Sequence, residues 1–414
     1  MKRMLLPAIF MALLFIWSCQ SDDLKDIKPI DENGMVLEDV MARGGNGKGN
    51  GYGLLRTCAT HEVLQRKLKQ NPALIRKMQE IEAHTLAFKK SKLDKVKKPK
   101  KPKKGKGGTG SGGSTPDSDS DGSTTPNIDN DSNNTDGDSG TGNDGIVITD
   151  PLPAEDPGTD YNSVDDTPDP LPTRYTIPVY VHVIHSNSAE FISIEQIRSQ
   201  IEVLNADFSG SNTDINNTPA EFKDRIADAG ITFTLDENLH IKWKSTTRAE
   251  WGTGDEMKSS AKGGSDAYRP EEYLNIWVCN IGGGVLGYAQ IPGTGTTSTD
   301  GIVVAPLAFG TTGYVAAPYN KGRTATHEVG HWLNLRHIWG DGGCEADDFV
   351  ADTPLADRPS YGCAGTPSYC KTPAMTMNFM DYSDDACMYM FTQGQKFRMH
   401  ALFSKGGSRS SFAQ

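Results

Sequence analysis

Large apolar side chains are nearly missing from much of residues 90–172 of this 414-residue chain. A segment that cannot bury apolar surface cannot offset the entropy of ordering itself, so no core forms there. The packable part is smaller than the length implies, although 36% of residues are hydrophobic, enough for one or two ordinary domains. Net positive charge is missing as well. The formal balance is −11, which argues against nucleic acid as the main partner. No long repeat and no EF-hand loop occur. The leading apolar run, Leu5 to Trp17, is too short for a comfortable membrane span.

That run follows Lys2 and Arg3, and residues 1–19 read as an export signal. The competing reading is a buried N-terminal helix. Ser18-Cys19 resembles a bacterial lipoprotein processing site, which would attach the chain to a membrane through a lipidated Cys19. Trp17 is bulkier than such sites usually carry, so simple cleavage stays open. The "QSDD" that follows resembles the acidic tag of some surface-exposed lipoproteins. The expected location is outside the cytoplasm: secreted, or a cell-surface or outer-membrane lipoprotein. Seven cysteines agree with export, and Cys344, Cys363, Cys370 and Cys387 crowd into one stretch as disulfide staples do. Sequence alone leaves their pairing open.

Residues 20–53 read as a polar, glycine-rich tether, and residues 54–88 as two short amphipathic helices. Leu64 and Leu68 sit four apart. Asn71-Pro72 supplies an N-cap and a first-turn proline, and Leu74, Ile75, Met78 and Ile81 follow at helical spacing. These are too small to form a core alone. Residues 89–106 hold a lysine run, read as the start of an extended, solvated linker through residue 172. Binding of anionic polymer or lipid headgroups is the other reading of that run.

From residue 173 to 414 the texture is that of a folded domain. "YTIPVYVHVIH" alternates as a strand does. Ser193 and Gln196 form a capping box, with Ile194, Ile197, Ile201 and Leu204 along one helix face. "GITFTL", "YLNIWVCNI" and "GIVVAP" are further strands, and "GGGVLGYAQIPG" reads as a glycine-bounded edge strand. The expected class is α+β, an α/β-type sandwich.

"HEVGHWLNLRH", residues 327–337, carries the chemistry. His327 and His331 lie about 6 Å apart along one helix face. Two imidazoles there bind one Zn²⁺ at about 2.0–2.1 Å each. Glu328 reaches the water of such an ion without ligating it, as a general base must. His337 would lie about 9 Å further along a continuous helix and off its face. It joins the same ion only if the helix stops and the chain folds back. Asparagine adopts the left-handed conformation that such a stop requires, so Asn334 is the expected turn residue, with positive φ.

At this point the sequence resembles the metzincin metallopeptidases, whose motif is HExxHxxGxxH. It matches at His327, Glu328, His331 and His337 and departs at Asn334. Met380 in "TMNFMDYSDDACMYMF" resembles the methionine turn under the metal, and Tyr382 a tyrosine that approaches the metal or the oxyanion in several members. "ATHEVGHWLNLRHIWGD", "DDFVADTP", "MNFMDYSDDACM" and "LGYAQIPG" resemble the pappalysin family more closely still. The resemblance implies a metzincin-like catalytic domain with a twisted mixed sheet, and polypeptide substrates lying extended and antiparallel to the edge strand near Leu286–Gln290. It implies the pairings Cys344–Cys370 and Cys363–Cys387. It further implies calcium near Asp348 and Thr353, against the reading of a solvated acidic loop. Asp385 matches a position that favours Arg or Lys after the cut bond, against a plain surface aspartate. Residues 54–88 resemble a family pro-segment, with Cys58 as a latency switch on zinc. A disulfide with Cys279 or an idle thiol are the alternatives. The implied activity is that of a zinc endopeptidase. A surface-anchored, zinc-containing binding module without catalysis is a rival, and retention of Glu328 speaks against it. A nucleic-acid-associated role through the lysine run is a third reading.

Overall fold

The computed structural model describes residues 58–97, with side chains through residue 91, and residues 174–413. The signal stretch, Cys19, the tether and most of the linker lie outside the described residues. Helices α1 (Thr60–Gln70) and α2 (Ala73–Lys97) come first. Strand β1 (Tyr175–His185), helix α3 (Ile194–Phe208), and strands β2 (Ile231–Thr234), β3 (Ile241–Ser245), β4 (Leu274–Val278), β5 (Gly287–Ala289) and β6 (Ile302–Val304) follow. Helix α4 (Arg323–Trp332), a small hairpin β7 (Ser368–Tyr369) and β8 (Thr372–Pro373), and helix α5 (Gln393–Phe403) complete the order.

The six-stranded sheet runs β2-β1-β4-β6-β5. β1 is long enough to pair β2 along Tyr175–Pro178 and β3 along Val181–His185. All pairs are parallel except β5 on β6, so β5 is an antiparallel edge. Burial on both faces explains the unbroken apolar strands. On β4, Leu274, Ile276 and Val278 join the main core with Val329 and Trp332 of α4, while Trp277 joins a second cluster with Tyr288 and Val303. Ala59 and Val63 of the N-terminal segment lie in that second cluster. Leu64, Leu68, Leu74 and Met78 pack with Ile291, so the two helices borrow their core from the domain that follows.

Two expectations need correction, and a third gains detail. Lysine is a good helix former, and α2 therefore continues into the lysine run as far as Lys97 rather than ending near residue 88. Ser193 accepts from the Gln196 N–H, but the Gln196 side chain does not close the box. It bonds instead to Pro306 O, Phe309 O and the Tyr314 N–H. The Leu286 side chain is buried in the main core, and Ala305 N–H already donates to its carbonyl. The backbone groups of this edge that face away from β6 therefore begin at Gly287, whose carbonyl accepts Ala59 N–H.

Candidate metal centre

Helix α4 is tied to α3 from below. Thr326 Oγ1 donates to Asp207 Oδ2 at 2.7 Å, and Arg323 Nε lies 3.0 Å from the same oxygen. The helix ends in a Schellman motif. Leu335 N–H donates to Gly330 O and Asn334 N–H to His331 O, both at 2.9 Å, with Asn334 at φ 68°. That reversal returns His337 to the face carrying His327 and His331.

The Nε2 of His331 lies 3.1 Å from Nε2 of both His327 and His337. Each Nδ1 is already engaged: His327 on Phe379 O at 2.8 Å, His331 on Leu335 O at 2.9 Å, and His337 on the Asp341 carboxylate. A protonated Nδ1 leaves the Nε2 lone pair facing inward on each ring. Three such lone pairs in contact repel one another unless a cation lies among them. A tetrahedral ion at about 2.0–2.1 Å from each nitrogen spaces its ligands by about 3.3 Å, close to the observed separation. Burial pushes His331 down to about 3, which keeps it a neutral ligand. The residues fit zinc.

Glu328 is wholly buried beside this cluster. Its Oε2 accepts the Thr60 hydroxyl at 2.9 Å and the Cys58 thiol at 3.5 Å. Gly287 of β5 faces it: a Cβ there would stand 2.9 Å from Glu328 Cγ and 3.0 Å from Val303 O, so only glycine lets the strand pass. Cys58 Sγ converges with the three imidazoles within 4.8 Å. Burial and the Glu328 charge push the thiol well up, so its thiolate depends on a neighbouring cation. The segment occupies the sheet edge too. Ala59 N–H donates to Gly287 O at 3.0 Å, and Thr60 Oγ1 accepts Ala289 N–H at 2.8 Å. Cys58 bridges Gly287 in parallel.

Met380 lies beneath α4. A Cβ on Gly330 would meet its sulfur at 2.4 Å, so the glycine inside the histidine motif makes room for it. Tyr382 donates to Cys58 O at 3.1 Å, and its ring stands 4.9 Å from that of His337. The pairs Cys344–Cys370 and Cys363–Cys387 are formed. Cys58 and Cys279 are both buried free thiols, which removes the disulfide alternative. Asp385 is buried, not a surface group, and its Oδ2 accepts the backbone N–H groups of Lys321 and Arg323 at 2.9 and 3.2 Å. Asp348 and Thr353 are also buried, while residues 343–345 and Asp347 beside them are exposed, and Thr353 Oγ1 stands 2.9 and 2.8 Å from the two carboxylate oxygens.

Several residues at the centre escaped sequence reasoning. Asp341 holds His337 and also meets His61 Nδ1 at 3.0 Å. Its spacing of four from His337 was a usable signal. Trp339 stacks on His337 at 4.3 Å and 4°. Asn378 and Gln395 exchange amide hydrogen bonds of 2.9 and 3.0 Å, and Asn378 Oδ1 also accepts Met380 N–H. This closed pair ties the turn at 378–380 to the cap of α5, and the turn in turn holds His327 through Phe379 O.

A profile of the peptidase family described as pregnancy-associated plasma protein-A matches residues 258–404. An extracellular metalloprotease of Pyricularia oryzae is 35% identical over 242 residues, covering 56% of this chain and 75% of the relative. One from Arthroderma benhamiae is 35% identical over 253 residues, covering 57% and 76%. Tannerella forsythia mature mirolysin in complex with a cleaved peptide is 45% identical with TM-score 0.56, covering 58% of this chain and 95% of that one. A promirolysin mutant from the same organism is 44% identical with TM-score 0.55, covering 58% and 84%. With its three converging imidazoles, its mixed sheet and these relatives, the chain belongs to the pappalysin family of zinc metalloendopeptidases.

Proposed function

We propose that the chain is an exported, latent zinc endopeptidase that cuts polypeptides held in extended form along β5. The observation that carries this reading is the convergence of His327, His331 and His337 beside the buried Glu328 carboxylate. His327, His331 and His337 would hold a zinc ion, which would supply Lewis-acid polarisation of the scissile carbonyl and lower the pKa of a bound water toward about 7. Glu328 takes a proton from the attacking water and passes it to the leaving amine. Tyr382 donates to the carbonyl oxygen as it gains charge. Gly287 O and Ala289 N–H, engaged in the latent chain by Ala59 and Thr60, align an antiparallel substrate strand. The cleaved peptide in mature mirolysin supports a polypeptide substrate. The test is a peptide-library digest by the activated enzyme: cleavage abolished by a chelator and restored by zinc is expected, and chelator-resistant cleavage would refute the reading.

We assign Asp385 the preference for Arg or Lys just after the cut bond, because a buried carboxylate acts through a low dielectric. Asp385→Ala is expected to erase that preference in the same digest. An unchanged profile removes the assignment.

Residues 54–88 act as the inhibitory pro-segment, with Cys58 thiolate in the position of the catalytic water; the promirolysin relative supports a zymogen. Cys58→Ala is expected to raise the activity of the uncut chain at least tenfold, read on a quenched peptide. Equal latency in that variant sinks the switch. Calcium at Asp348 and Thr353 predicts a higher Tm on adding Ca²⁺ to the apo-calcium protein, and no shift argues against it. The relatives named extracellular support export. Mass analysis of the mature N-terminus distinguishes a lipidated Cys19 from simple release.

A further inference from the structure

The N-terminal segment also grips the catalytic unit away from the imidazoles. Glu82 of α2 accepts from Arg398 of α5 twice, Nη1 to Oε2 at 2.8 Å and Nη2 to Oε1. Asn334 Nδ2 donates to Oε1 at 3.3 Å, and Arg398 Nε donates to Asn334 O at 2.7 Å. Arg336 adds a second guanidinium. Burial opposes the Glu82 charge, yet Arg398 and Arg336 outweigh it and hold the carboxyl below its usual range. Phe349, a non-glycine residue at φ 63°, presents its ring to both arginines, 4.8 Å from Arg336 and 5.4 Å from Arg398. A guanidinium that donates twice and an amide donor thus belong to the catalytic unit, with Arg336 as a further nearby charge, while the carboxylate that accepts from them belongs to the segment. The Asp341 and Asp348 carboxylates act on Arg336 as well.

We propose that Arg398 and Asn334 form a carboxylate receptor for the segment's second helix, and that this receptor keeps the segment seated as a non-covalent inhibitor after the linker has been cut. The proposal rests on the reading of residues 54–88 as an inhibitory pro-segment and adds what holds it. The rest of the seat agrees. Lys67 pairs with Asp255 at 3.0 Å, Arg66 Nη1 donates to Thr253 Oγ1 at 3.0 Å, and His84 Nε2 lies 2.8 Å from Ser404 Oγ. Scission anywhere in residues 98–172 severs none of these contacts. Losing one member of a buried, bidentate charge pair leaves the other uncompensated, so Glu82 is the contact whose removal loosens the segment most. Activation then needs two events, a cut in the linker and removal or destruction of the segment.

The test uses the full-length chain, nicked in its lysine run by a limiting amount of a lysine-specific protease, with mass spectrometry verifying that residues 58–91 are intact. In the wild type the segment is expected to co-elute with the catalytic unit, and activity on a quenched peptide to emerge only on dilution. Nicked Glu82→Gln is expected to release the segment at about 100-fold higher protein concentration. Glu82→Asp should fall between, and Glu80→Gln, an exposed residue paired with Arg76 on the same helix, should match the wild type. Wild-type activity that rises in step with nicking while the segment elutes free would overturn the proposal. So would a Glu82→Gln dilution curve that overlays the wild type. Failure of the Cys58 reading is distinguishable: Cys58→Ala would then stay latent while Glu82→Gln still lets the segment go.

Discussion

Glu328→Gln, activated by an added protease that removes the segment, is expected to keep its zinc and lose about 10³- to 10⁴-fold in kcat/KM. The substitution is isosteric. Its amide oxygen still accepts a hydrogen bond in the latent chain, where Oε2 now takes the Thr60 hydroxyl. None of the three ligand rings has its Nδ1 on this residue, so the metal's holders are undisturbed. What disappears is the only change that matters for hydrolysis, the capacity to accept a proton from water and return it to the amine. Metal content by atomic absorption and kcat/KM on a quenched peptide separate the two effects. Activity within tenfold of the wild type would assign the base elsewhere.

Asn334 gives the second large effect. Asn334→Val is expected to weaken zinc binding by about 30- to 100-fold, and Asn334→Gly to leave it within a few-fold. The residue sits at φ 68° between the second and third ligands. A β-branched side chain held there costs about 1–3 kcal/mol, and relaxing the strain swings His337 away from the Nε2 atoms it faces. Glycine adopts the same conformation freely. Competition against a chelating dye reads the affinity. A valine variant that binds like the wild type, or a glycine variant as weak as valine, would contradict this role. The contrast also explains why the chain departs from the family's glycine at little cost.

Local signals carried much of the fold. The alternation of β1, the helical spacing after Ser193 and the glycine-bounded edge at β5 all lie where the sequence placed them. Asn334 was legible because few residues tolerate its backbone conformation. β3 was not: "IKWKS" is short, half-exposed, and defined by pairing with β1 more than fifty residues earlier. α5 begins with a capping box at Thr392 and Gln395, but Gly394 and its broad burial leave no apolar stripe to read. Gln196 shows the limit of a local motif, since distant carbonyls at 306 and 309 outbid the helix start for its amide. The role of Glu82 depends on a partner more than three hundred residues away, which no spacing announces.

Metal analysis of the purified full-length chain bears most directly on the centre described above. One zinc per chain is expected, with stoichiometric occupancy lost in His337→Ala while the fold, read by circular dichroism, persists. A wild-type chain that carries no stoichiometric transition metal, or a His337→Ala chain that holds zinc as tightly as its parent, would contradict the account.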